Sequence, residues 1–266
     1  MTQAERRLYL IRSLLNEKTE YQSLNVPRDA GEQRKLLRSL MNVRMPKVAD
    51  EAFLRVQDKY LRQELADEGI TDLDDLRPVS GDLYLWQGDI TRLKCGAIVN
   101  AANSGMTGCY IPCHACIDNC IHTFAGVQLR QDCAALMAEQ GHEEPTGQAK
   151  ITKAYNLPCD YVLHTVGPIV SGRVTREDER LLASCYRSCL ELAEKNSVRS
   201  IAFCCISTGV FHFPNERAAE IAVETVWRCK VETGSKIKVV FNVFKDLDKT
   251  IYERLLGANC APAARA

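Results

Sequence analysis

The chain has 266 residues, 46% of them hydrophobic and 26% charged, a composition that supports a large buried core. Its 34 Lys and Arg residues equal its 34 Asp and Glu residues, so the basic surplus expected of a duplex nucleic-acid binder is missing. No apolar run reaches transmembrane length, and the opening Met1-Thr-Gln-Ala-Glu-Arg-Arg7 lacks the features of a signal peptide. No membrane partner is therefore expected, and the cytoplasm is the expected location.

Residues 1–75 read as a helical extension and 76–266 as the main domain. Leu8, Ile11, Leu14 and Leu15 recur at helical spacing, as do Leu36, Leu37, Leu40 and Met41. Phe53, Val56, Tyr60, Leu61 and Leu65 mark a third amphipathic segment, with breaks near Pro27 and Gly69. This region holds no catalytic constellation, so packing on the main domain is the expected role and partner docking the alternative. From about residue 82 the pattern becomes strands alternating with helices. The expected strands are 83–87, 97–100, 161–166, 200–206 and 238–244, with helices near 116–140, 177–195 and 214–232. Such alternation predicts an α/β sandwich on a mostly parallel sheet, with ligands at the carboxyl ends of the strands.

Thirteen cysteines are many for this length. In a reducing compartment, thiols serve as apolar core or as metal ligands. Cys204 and Cys205, in an apolar run, and Cys185 and Cys189, one helical turn apart, read as core. The segment from Cys109 to His122 differs, with four cysteines and two histidines. His164 and His212 read as a strand-core and a loop residue.

Three segments at strand ends carry polar groups. Leu85-Trp-Gln-Gly-Asp89-Ile90-Thr91 ends a strand with a carboxylate that could accept from an amino group such as adenine's, or simply cap a turn. Ala97-Ile-Val-Asn100-Ala-Ala-Asn103 places two asparagines among small residues, suited to ribose hydroxyls or to a turn. Ile201-Ala-Phe-Cys-Cys-Ile-Ser207-Thr208-Gly209-Val210-Phe211-His-Phe-Pro214 runs from a strand through a Gly-containing loop to a helix start, where backbone amides suit a diphosphate. Neither a Walker A loop nor a G-x-G-x-x-G fingerprint is present, which argues against a P-loop kinase or a nicotinamide dehydrogenase.

Taken in order, Gly88-Asp-Ile-Thr91, Ile98-Val-Asn-Ala-Ala-Asn103, Gly147-Gln-Ala-Lys-Ile-Thr152, Val162-Leu-His-Thr-Val-Gly-Pro168 and Ser207-Thr-Gly-Val-Phe211 resemble the macrodomain family. The ending Val239-Val-Phe-Asn-Val-Phe-Lys-Asp-Leu-Asp248 and Tyr252 is also similar. The resemblance covers roughly residues 82–256 and is nearest the MacroD-type branch, whose members remove ADP-ribose from acidic side chains. It implies a macrodomain-type α/β/α sandwich with a mixed, mostly parallel sheet, preceded by the helical extension. The loop after Asn103 departs from that branch. In place of a glycine-rich stretch it reads Ser104-Gly-Met-Thr-Gly-Cys109-Tyr-Ile-Pro-Cys113-His114-Ala-Cys116-Ile-Asp118-Asn-Cys120-Ile-His122. This spacing is similar to that of zinc-containing microbial macrodomains, in which Cys, His and Cys hold zinc beside the distal ribose.

The resemblance implies one Zn2+ per chain on Cys109, His114 and Cys116. Three ligands leave a fourth position open, the pattern of catalytic zinc. A closed structural site with Cys113 or Cys120 as fourth ligand, and thiols without metal, stay open as alternatives. His122 resembles a family position that need not bind metal. Asp118 reads either as charge stabilisation at a helix start or, by resemblance, as a group beside the distal ribose that orients water or accepts its proton. The implied function is a zinc-dependent hydrolase that binds ADP-ribose and removes mono-ADP-ribose from modified protein. Asp89 and Ile90 would hold adenine, Ser207, Thr208, Gly209, Val210 and Phe211 the diphosphate, and Asn103 the distal ribose. Asn103 and Asp118 are the expected catalytic pair. A non-catalytic ADP-ribose reader and an O-acetyl-ADP-ribose deacetylase are the rivals.

Overall fold

A computed structural model describes residues 1–21 and 23–258. The expected 76–266 unit therefore runs into residues 259–266, which lie outside the described residues. Three helices come first, α1 (Gln3–Asn16), α2 (Ala30–Val43) and α3 (Glu51–Glu68). Each starts at a polar cap, Thr2, Asp29 or Asp50, whose side chain accepts from an amide of the first turn. Glu5 completes a capping box on α1. Their apolar stripes meet in a core of their own that includes Leu10, Ile11, Leu37, Leu40, Phe53 and Tyr60.

The rest alternates as the sequence pattern predicts. Strands β1 (Thr71–Asp72) and β3 (Leu93–Lys94) form a short parallel pair. The main sheet contains β2 (Leu83–Gln87), β4 (Ala97–Ala102), β5 (Ala149–Lys153), β6 (Tyr161–Val166), β7 (Ser200–Phe203) and β8 (Lys238–Val243). Its order is β2-β8-β7-β4-β6-β5, parallel throughout except that β5 runs antiparallel to β6. Every residue of β7 is buried, as is most of β4, which explains why they are largely apolar apart from the buried Ser200 and Asn100. Helices α4 (Ile117–Ala125) and α5 (Val127–Gln140) group against β4 and β5. Helices α6 (Arg176–Lys195), α7 (Asn215–Thr233) and α8 (Asp246–Ala258) pack side by side as the other layer. No helix among the described residues is long and apolar enough to cross a membrane.

Several boundaries differ from expectation. The stretch 116–140 is two helices because Gly126, at φ 103°, breaks it. Strand 97–100 extends to Ala102, whereas 200–206 stops at Phe203 and 238–244 at Val243, where the chain turns outward. Strand β5 was not expected; half-buried at an edge, it lacks a long apolar run. Pro214 is the N-cap of α7 and not its first helical residue.

The helical unit joins the sheet domain at two helix ends. Arg130 of α5 donates to the carbonyls of Met41, Asn42 and Arg44 at 3.2, 2.6 and 2.7 Å, closing the C-terminus of α2 with a cation. In return Gln57 of α3 accepts from the Val127 amide at 3.0 Å, satisfying the start of α5 that Gly126 leaves without a side-chain cap. A β-carbon at Gly126 would stand 2.5 Å from Gln57 Nε2, so this contact needs glycine. Val127 completes the helical core.

Candidate active site

Because β2, β4, β7 and β8 are parallel, their carboxyl ends share one edge, and the loops leaving them surround a cavity of about 670 Å³. That volume suits a ligand of nucleotide size. Asp89 and Ile90 enter from the end of β2, and residues 207–212 from the loop after β7. Asn242 enters from the end of β8, Phe244, Lys245 and Asp248 from beyond it, and His114 and Cys116 from the loop before α4. Arg38 of α2 completes the wall, from a helical region in which the sequence shows no catalytic constellation.

Asp89 caps a turn, as one sequence reading has it, and also lines the cavity. Its Oδ1 accepts from the Thr91 amide at 2.9 Å and hydroxyl at 2.7 Å. In the loop after β7, the Phe213 amide bonds Ser207 O at 3.0 Å and the His212 amide bonds Gly209 O at 3.1 Å. Ser207 and His212 hold positive φ, 64° and 57°, a conformation that costs on the order of 1 kcal/mol or more for each non-glycine residue. The resulting curl leaves the amides of Gly209, Val210 and Phe211 without a protein acceptor among the described residues. Consecutive free amides of this kind form an anion cradle. Ser207 Oγ is also buried without a partner, and a β-carbon at Gly167 would sit 2.1 Å from it, so only glycine fits beneath this turn.

Asn103, Cys109 and Asp118 do not line the cavity; they stand behind its wall. Asp118 lies in the first turn of α4, whose N-cap is Cys116, with Cys116 Sγ accepting from the Asn119 amide at 3.4 Å. Its carboxylate accepts from Asn100 Nδ2 at 2.8 Å and from Asn103 Nδ2 at 3.3 Å. Burial pushes the Asp118 carboxyl up to about 6, against the Asn100 hydrogen bond and the Arg130 charge. Asn103 also donates to Gly108 O at 3.1 Å, tying the end of β4 to the cysteine loop.

The Cys109, His114 and Cys116 donor atoms all lie within 4.8 Å of one another, with Cys109 Sγ and His114 Nδ1 3.7 Å apart. Tetrahedral zinc, with bonds of about 2.0–2.3 Å, sets neighbouring ligands roughly 3.3–3.8 Å apart, so the residues fit that ion. Cys113 and Cys120 fall outside the group. Cys113 turns to Ser39 Oγ at 3.2 Å, and Cys120 Sγ meets Arg38 Nη2 at 3.4 Å. Burial pushes the Cys116 thiol up to about 12, with the nearby Cys109 adding to it. A dication would reverse that cost.

A second cluster, His122, Cys133 and His164, is entirely buried behind Asp118. His164 is saturated: Asn100 Nδ2 donates to Nδ1 at 3.1 Å, which leaves Nε2–H to donate to Thr152 Oγ1 at 2.9 Å. Burial holds it near 3 and His122 well below its ordinary value, so both are neutral. His122 Nε2 stands 3.6 Å from Asp118 Oδ1.

Sequence reasoning missed Arg38, Phe244, Lys245 and Asp248 as wall residues. The last three sat in the recognised ending 239–248, where their position after a strand was the available signal. Arg38 gave none, being one charge on an amphipathic helix.

The Macro domain family model matches residues 99–222. A protein-ADP-ribose hydrolase of Treponema medium is 62% identical over 260 residues, covering 96% of this chain and all of that protein. The protein-ADP-ribose hydrolase of Staphylococcus aureus strain MSSA476 is 50% identical, covering 92% of each. A coverage of 96% takes in the N-terminal helices as well as the sheet. Among solved structures, the Trypanosoma brucei macrodomain in complex with ADP-ribose superposes with a TM-score of 0.65 at 32% identity, covering 83% of this chain and 95% of that one. The Oceanobacillus iheyensis macrodomain with ADP gives 0.62 at 34% identity, covering 69% and 95%. With the mixed sheet, the strand-end cavity and these relatives in view, the chain belongs to the macro domain family.

Proposed function

We propose that this protein is a zinc-dependent hydrolase that binds ADP-ribose and releases it from mono-ADP-ribosylated protein side chains. The observation that carries the reading is the layout of one cavity. The cavity is lined by the 209–211 anion cradle, by Asp89, whose Oδ2 carries no hydrogen bond among the described residues, and by His114 and Cys116 of the donor set. A ligand with an adenine amino group, a diphosphate and a distal ribose would use all three. The names of the Treponema medium and Staphylococcus aureus relatives, and the ADP-ribose bound by the Trypanosoma brucei macrodomain, support it.

In this reading Asp89 Oδ2 accepts from the adenine amino group and the Ile90 backbone flanks the ring. Phe244, exposed on the cavity wall, offers an aromatic face. The amides of Gly209, Val210 and Phe211, with Ser207 and Thr208 in the same turn, hold the diphosphate, and Phe211 packs on the distal ribose. Asn103 and Asp118, bonded to each other behind the wall, would serve the distal-ribose end from there, Asn103 by orienting the loop that begins at Ser104 and Asp118 as proton acceptor. Zinc bound by Cys109, His114 and Cys116 supplies Lewis acidity toward a ribose hydroxyl or water.

The test is release of ADP-ribose from a mono-ADP-ribosylated protein by metal-replete and metal-stripped preparations, with O-acetyl-ADP-ribose beside it. Metal-dependent release is the expected result. Tight ADP-ribose binding without release would make the protein a reader, and turnover of the acetyl ester alone a deacetylase. Equal release after metal removal would end the zinc claim.

A further inference from the structure

We propose that Arg38, carried by α2 of the helical unit, is a positioning residue for the metal loop. The inference rests on the zinc reading above. Arg38 Nη2 donates to His114 O at 2.8 Å, to Asn119 Oδ1 at 3.0 Å and to Cys120 Sγ at 3.4 Å. Asn119 in turn donates from Nδ2 to Cys109 O at 3.3 Å and to Ile111 O at 2.9 Å, and from its backbone amide to Cys116 Sγ at 3.4 Å. One guanidinium therefore reaches all three ligand residues, His114 directly and the two cysteines through Asn119. Asn119 is fully buried and its amide orientation has only one reading: Oδ1 faces a cation and Nδ2 faces two carbonyls.

The helix that carries Arg38 is itself fixed. Leu37, Leu40 and Met41 sit in the helical core, and Arg130 closes the helix C-terminus. One turn beyond Arg38, Asn42 accepts from the Cys113 amide at 2.9 Å and donates to Thr123 Oγ1 at 2.8 Å. The loop from Cys109 to Cys116 has no regular secondary structure and carries a positive φ of 53° at Cys113, so its shape is set by these outside contacts. Ligand geometry in metal sites depends on such supporting hydrogen bonds, whose loss lowers metal affinity by about 10- to 100-fold. Lysine keeps the charge and the donors but not the rigid planar head that fixes Nη2 between His114 O and Asn119 Oδ1.

Cobalt(II) is the probe, since its thiolate charge-transfer and d–d bands report ligand geometry without turnover. Full-length wild type, Arg38→Ala, Arg38→Gln, Arg38→Lys and Leu37→Ala are titrated with cobalt(II) against a chelator, and melting temperature is followed in parallel. Arg38→Ala and Arg38→Gln should bind cobalt(II) at least about tenfold more weakly with shifted d–d bands. Arg38→Lys should recover only part of the affinity, and Leu37→Ala should lower the melting temperature with the wild-type spectrum intact. Wild-type affinity and spectrum in the folded Arg38 variants would overturn the proposal, as would an equal spectral change in Leu37→Ala. Should alanine not fold, the glutamine variant decides. A wild-type protein that takes up no cobalt(II) would instead remove the zinc reading itself, and this inference with it.

Discussion

Asn100 holds Asp118 by a 2.8 Å hydrogen bond from its side-chain amide to Oδ1 and spends its second amide hydrogen on His164. A buried carboxylate is thus anchored to the central strand β4 through a residue that never reaches the cavity. Asp118→Ala should lower turnover by about 10²–10⁴-fold, the usual share of a positioned proton acceptor, while metal content stays at one per chain. Metal analysis and hydrolysis on the same preparation check this. Metal loss in that variant would make Asp118 a ligand instead.

Asp89→Ala should weaken ADP-ribose binding by about 1.5–3 kcal/mol, the range for a hydrogen bond to a charged group. The substitution also removes the cap on Thr91, so calorimetry must be paired with a melting curve. Unchanged affinity in folded protein would take Asp89 out of the ligand site.

Purified protein should contain about one zinc per chain, as for a single three-ligand site. Cys109→Ala, His114→Ala and Cys116→Ala should each lose zinc and hydrolysis together, whereas Cys113→Ala and Cys120→Ala should keep most of both. Zinc loss from Cys113→Ala would favour a closed structural site.

Acid should destabilise the fold through its neutral histidines. In the unfolded chain His122 and His164 titrate near 6.5, whereas in the fold His164 is held near 3 and His122 well below its ordinary value. Between pH 6.5 and 3 the unfolded state binds protons that the folded state refuses. The stability from these two residues is therefore complete above pH 6.5 and falls as pH drops, by about 1.4 kcal/mol per pH unit for each proton. Asp118, raised to about 6, acts oppositely between its ordinary 3.8 and 6, where stability falls as pH rises. Two histidines outweigh one carboxyl, so urea midpoints at pH 5 should lie below those at pH 7.5. A midpoint that rises on acidification would contradict the neutral pair.

Deleting residues 1–75 should lower stability, because it strips Val127, strands the Arg130 guanidinium and removes the Gln57 cap of α5. It should also weaken zinc binding, since Arg38 and Asn42 leave with it. A folded truncation with wild-type zinc affinity would show that the loop shapes itself.

The sequence by itself determined the α/β alternation, because strands buried on both faces are mostly apolar and β-branched, as in 161–166 and 200–203. It also determined the candidate donors, because Cys109, His114 and Cys116 sit within one short loop where chain connectivity alone keeps them near. The loop with free amides was legible for the same reason, its contacts being local to 207–213. What spacing could not carry was decided by tertiary structure. Gly126 splits α4 from α5 because Gln57 of another helix occupies the space of its missing side chain. Asp118 looks like an ordinary first-turn carboxylate until β4 brings Asn100 against it and burial shifts its pKa. Arg38 is one charge among many on α2, and only the docking of that helix, 76 residues before His114 in sequence, puts its guanidinium on the Cys109–Cys116 loop. Local chemistry follows from neighbours in the chain, whereas burial and long-range hydrogen bonds exist only once the helices have packed.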